Sequence, residues 1–99
     1  MKIAVGIDTT GKLSKTIENS VMFYIFSIID GDLDLVERRL VKVYDVGFIR
    51  NNLIQNVFDC DIVIANKFTH ETELIFRRYG IQAIAVDGSV DPFELLCST

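Results

Sequence analysis

The chain has 99 residues, 49% of them hydrophobic and 24% charged, with a single proline. That balance fits one folded domain over residues 1-99 and excludes a disordered tail or a second core. A net charge of −4 and a pI near 4.8 argue against the broad cationic surface that displaces counterions from nucleic acid. Arg38-Arg39 and Arg77-Arg78 then read as solvated faces. Cys60 and Cys97 lack CxxC spacing, so neither a disulfide framework nor a thiolate metal site is signalled. Gly6 and Asp8 arrive too early for a signal-peptide core, and no apolar run approaches membrane-spanning length. The expected location is the cytoplasm.

In chain order, Ile3 to Ile7 is a short apolar run closed by Asp8 and Thr9-Thr10-Gly11, the pattern of a buried strand. Residues Asp8 to Ser20 follow as a polar loop. Val21 to Ile29 is almost continuously apolar and predicts a strand covered on both faces. Asp30-Gly31-Asp32 predicts a tight turn into a hairpin partner, Leu33 to Val43. Charges at Asp34, Glu37, Arg38, Arg39 and Lys42 mark this partner as an edge strand. Ile49, Leu53, Ile54, Val57 and Phe58 then recur at helical spacing.

Asp61 to Ala65 is the next strand. Thr69 caps a helix with Glu71 and Glu73 in its first turn and Arg77-Arg78 in its last, stopped by Gly80. Ile81 to Val86 is a fifth strand, and Asp91-Pro92-Phe93-Glu94 is a capping box opening a C-terminal helix. The order strand, strand, strand, helix, strand, helix, strand, helix predicts an α/β fold. A hairpin followed by right-handed crossovers gives a five-stranded mixed sheet flanked by helices.

Ligands collect at the C-terminal ends of parallel strands, where loops and helix N-termini converge. Here those ends are the Asp8–Ser20 loop, the connection Asn66-Lys67-Phe68-Thr69-His70, and Asp87-Gly88-Ser89. Lys67 beside a helix opened by Thr69 suits a small anion, because ammonium and helix dipole act together. His70, the single histidine, is a candidate metal ligand with no supporting donors in the local sequence. Cys60 precedes its strand and belongs at the opposite end of the sheet. No Ser or Cys is paired with a histidine, and no phosphate-cradling glycine loop is present. Asp8, Asp30 and Asp87 close strands and define one catalytic alternative, a metal-dependent nuclease. Asp30, however, ends a strand antiparallel to the first and should face away from Asp8.

Met1-Lys2-Ile3-Ala4-Val5, Ser14-Lys15-Thr16, Phe26-Ser27-Ile28-Ile29-Asp30, Asp61-Ile62-Val63-Ile64-Ala65, Tyr79-Gly80-Ile81 and Gly88-Ser89-Val90 are landmarks in order along nearly the whole chain. In that pattern the chain resembles the NifX/NifB-type dinitrogenase iron-molybdenum cofactor biosynthesis family. The resemblance implies a ribonuclease-H-like fold and a non-catalytic accessory protein that binds or carries iron-molybdenum cofactor, or an iron-sulfur precursor, in loops at one end of the sheet. The family's His-Phe-Gly-Arg element falls on Asn19-Ser20-Val21-Met22, so its histidine anchor is Asn19 here. The small residues after the fourth strand are replaced by Asn66-Lys67-Phe68-Thr69, and His70 stands as the substitute ligand. The resemblance therefore implies either a cluster carrier using Asn19, Asn66, Lys67, Thr69 and His70, or a relative without a cluster that binds a protein partner or a small anion. Both a monomer and a homodimer are compatible with the sequence.

Overall fold

The structure, a computed structural model, describes residues 1–41, 54 and 56–87. Its strands are β1 (Lys2–Ile7), β2 (Met22–Ile29), β3 (Asp32–Leu40), β4 (Ile62–Ala65) and β5 (Gln82–Ala85), with helix α1 at His70–Arg78 and a 3-10 turn at Ile17–Asn19. They form a five-stranded mixed sheet in the order β3-β2-β1-β4-β5. β2 is antiparallel to both β1 and β3, whereas β1, β4 and β5 run parallel.

The hairpin joining β2 to β3 turns through Asp30 (φ 51°) and Gly31 (φ 84°). Two successive left-handed residues match the right-handed twist of the flanking strands, and an Asp-Gly pair adopts them at low cost. Ile25 pairs with Glu37 and Phe26 with Leu35, so Val36 is an extra, bulged residue on β3. The expected edge position of β3 is observed. Val41 follows it, and the remainder of the expected strand to Val43 lies outside the described residues.

Alternation along the strands supplies two apolar faces. On one, Ala4, Phe23, Ile25, Val63 and Ala65 pack with Phe76 of α1 and with Ile54, Val57 and Cys60. On the other, Ile3, Val5, Ile7, Phe26 and Ile64 pack with Leu13. β2 is covered on both faces only as far as Phe26. Ile28 and Ile29 are 41% and 53% exposed, because they overhang the hairpin end of the sheet beyond the core.

α1 begins at its N-cap Thr69, whose hydroxyl oxygen accepts from the Thr72 N–H. It ends at Tyr79 and Gly80 (φ 74°), and the Ile81 N–H returns to Phe76 O at 2.9 Å. Ile81 therefore closes the helix, and β5 starts one residue later than expected. Of the helix expected around Ile49 to Phe58, Ile54, Asn56 and Val57 are described and helical. Phe58 follows in a turn and is exposed, while the remainder of that helix, and the expected C-terminal helix at Asp91-Pro92-Phe93-Glu94, lie outside the described residues.

Candidate functional site

Because β1, β4 and β5 are parallel, their C-terminal ends lie on one rim. The structure ties the turns there together. The Ser14 N–H donates to Gly6 O (2.9 Å), the Asn66 N–H to Ser14 O (2.8 Å) and the Ile17 N–H to Lys67 O (3.1 Å). The Asn66 side-chain amide donates to Val86 O, beyond β5. The loop after β1, the connection after β4 and the exit of β5 are thus one unit, as the sequence predicted.

The polar loop is less polar than its composition suggests. Leu13 (1% exposed) and Ile17 (0%) turn inward and plug opposite faces of the sheet. Two buried hydroxyls lie between them, Ser14 and Ser20, 2.7 Å apart. Both sit against Gly6, where a Cβ would come within 2.4 Å of Ser20 Oγ and 3.1 Å of Ile17 Cδ1.

Glu18 is the rim residue that sequence reasoning missed. Its Oε1 accepts from the hydroxyls of Thr69 (2.9 Å) and Thr72 (2.7 Å) on the first turn of α1. The carboxylate therefore sits at the positive end of the helix, where an anion is favoured. Oε2 is buried with no hydrogen-bond partner among the described residues. No local motif marks Glu18, since its partners lie 51 and 54 residues away in sequence. This placement bears on the small-anion expectation for Lys67 and Thr69, because the chain's own carboxylate already faces the helix start. Lys67 is exposed, and its backbone carbonyl is what joins the rim.

The remaining expected residues are placed separately. Asn19 is exposed on the 3-10 turn, and its N–H donates to Thr16 O at 3.0 Å. His70 is exposed at the first position of α1. Among the described residues, no group of three or more His, Cys, Asp and Glu side chains is placed to hold a metal ion. Cys60 is at the opposite end of the sheet, as expected, just before β4 and 5% exposed. Burial pushes its thiol up to about 11, which disfavours the thiolate near neutral pH.

The nuclease constellation is not assembled: Asp8 and Asp87 follow β1 and β5 at the rim, while Asp30 is in the hairpin turn at the other end. Asp8 builds its own turn instead. Its Oδ1 accepts from the Thr10 hydroxyl (2.5 Å), the Thr10 N–H (2.8 Å) and the Lys12 N–H (3.3 Å). The Thr10 hydroxyl is the main cause holding its carboxyl below the ordinary range.

No family model and no curated protein matches the sequence. Solved structures share the fold. PH0822 superimposes with a TM-score of 0.71 at 24% identity, covering 92% of this chain and 84% of the other. A Methanocaldococcus jannaschii protein, MJ0327, provisionally named a dinitrogenase, gives 0.65 at 19% identity over 91% of this chain and 79% of its own. A Thermotoga protein, TM1290, provisionally named a NifB protein of the DUF35 family, gives 0.63 at 15% identity over 98% and 85%. At these identities the likeness establishes a common fold. Among the described residues, no helix is long and apolar enough to cross a membrane.

Proposed function

We propose that the chain is an accessory protein of the NifX/NifB-like dinitrogenase iron-molybdenum cofactor biosynthesis family, with the ribonuclease-H-like fold. In this reading it is not an enzyme and works by binding a protein partner rather than by anchoring a metal cluster. The strand order β3-β2-β1-β4-β5 and the fold shared with the proteins named for dinitrogenase and NifB support the family reading.

The observation that carries the functional half is the Glu18 carboxylate seated on the hydroxyls of Thr69 and Thr72. Asn66 is bonded to Val86 O and Ser14 to Ser20, so these rim groups are taken up within the chain, while the buried Glu18 Oε2 has no partner among the described residues. Iron clusters take thiolate and imidazole donors. Among the described residues the rim offers only His70 of that kind, with Asn19 at the position of the resembled family's histidine. That donor set does not fit an iron-sulfur or iron-molybdenum cluster. A carrier role resting on His70 is the second reading, favoured by the exposure of that ring at the start of α1.

Anaerobic reconstitution with iron and sulfide, followed by desalting, separates the two. The proposal expects no retained visible absorption band. A retained band that disappears in His70→Ala would replace it with the carrier.

A further inference from the structure

The two edges of the sheet, β3 and β5, are built differently. β3 carries Asp32, Asp34, Glu37, Arg38 and Arg39 and is bulged at Val36, features that spoil pairing with another strand. β5 reads Gln82-Ala83-Ile84-Ala85, with no charge, no proline and no register shift against β4. Its ladder to β4 uses alternate residues: the Gln82 N–H donates to Asp61 O and the Val86 N–H to Ala65 O, each at 2.9 Å. Ile84 shares that orientation. The N–H and C=O groups of Ala83 and Ala85 therefore point outward, with no partner among the described residues. Alongside runs a groove of about 320 Å³, lined by Glu73 and Arg77 of α1 and by Gly80, Ile81, Gln82 and Ala83.

We propose that this edge is the interface of a two-fold homodimer, in which β5 pairs antiparallel with β5 of a second copy. Centred on Ile84, the pairing sets Ala83 opposite the partner's Ala85 and Ala85 opposite the partner's Ala83. Both are outward-facing positions that exchange two hydrogen bonds per pair, about four in all. Ile84, on the face away from α1, meets the partner's Ile84.

Charge selects a second copy as the occupant. Arg77 and Arg78 lie where β5 begins and Asp87 where it ends, so a two-fold axis sets the basic end of one strand beside the acidic end of the other. On α1, Glu73 and Arg77 form an exposed pair at 3.2 Å, and the same axis brings Glu73 toward the partner's Arg77 across the groove. The charged, bulged β3 edge stops assembly at the dimer.

Sedimentation equilibrium of the full chain tests this. The expected species has twice the 11.2 kDa chain mass, with a Kd below about 100 μM. Ala85→Pro removes an outward donor and leaves the β4 ladder intact, and should raise Kd by roughly 100-fold or more with an unchanged far-UV spectrum. Glu73→Arg, an exposed change that keeps the fold, should raise Kd by about tenfold, and adding Arg77→Glu should restore it. It decides the question even where Ala85→Pro does not fold. A wild-type chain still monomeric at about 1 mM, or a dimer indifferent to the Glu73 and Arg77 charges, overturns the proposal.

Discussion

Gly6→Ala is expected to destabilise the protein by about 2–4 kcal/mol, read as a fall in the urea midpoint at unchanged slope. Gly6 lies in the β1 interior, so its role is not a special backbone angle but close approach. Its absent Cβ leaves room for Ser20 Oγ, which would stand 2.4 Å from an added methyl, and for Ile17 Cδ1 at 3.1 Å. Ser20 cannot yield cheaply, since its hydroxyl is buried and bonded to Ser14 at 2.7 Å. Ser14 in turn joins β1 to β4 through its backbone. The added carbon therefore pushes the loop off the rim. A loss under about 0.5 kcal/mol, the range of an indifferent surface change, would mean that the loop does not pack on β1 as described.

Arg39→Met is expected to cost about 2 kcal/mol at pH 7 and to flatten the acid limb of the stability profile. The Arg39 guanidinium donates to Asp59 at 2.7 and 2.8 Å, to Glu37 at 2.5 and 3.2 Å and to Asn56 O at 2.7 Å. It joins β3 to the segment before β4 and is itself only 18% exposed. The Arg39 guanidinium, then Lys2 beside it, holds the Asp59 carboxyl well below the usual carboxylate range. A depressed folded-state value contributes stability that is complete above the ordinary value of 3.8 and is lost as pH falls through and below it. Wild type should thus weaken steeply below about pH 4. The variant, whose Asp59 titrates closer to its unfolded value, should start lower and slope less. Parallel profiles for the two proteins would contradict the assignment.

These two sites show how much the sequence discloses. The hairpin is legible because Asp30-Gly31 has a turn chemistry of its own, and α1 because Thr69, the acidic first turn and Gly80 all lie within a dozen residues. The edge position of β3 follows from its charges. The rim is legible only in outline. Strand order predicts that the Asp8–Ser20 loop, Asn66 to His70 and Asp87 share one end, but it does not say what they do there. Leu13 and Ile17 look like stray apolar residues in a polar run until the sheet faces they plug are known. Glu18 looks like an unremarkable surface acid, since its function as an anion at the start of α1 depends on Thr69 and Thr72 being folded back against it. Long-range pairings of this kind carry no periodicity, which is why Lys67 and His70 drew attention that the geometry gives to Glu18.

The most direct measurement is a double-mutant cycle on that contact, with Glu18→Ala, Thr72→Val and the double variant compared by equilibrium unfolding. A charge-assisted hydrogen bond between loop and helix predicts that the two losses fall short of additivity by about 1–2 kcal/mol. Additive losses would mean that the carboxylate does not rest on the helix, and that the rim's donors and acceptors stand open to a ligand.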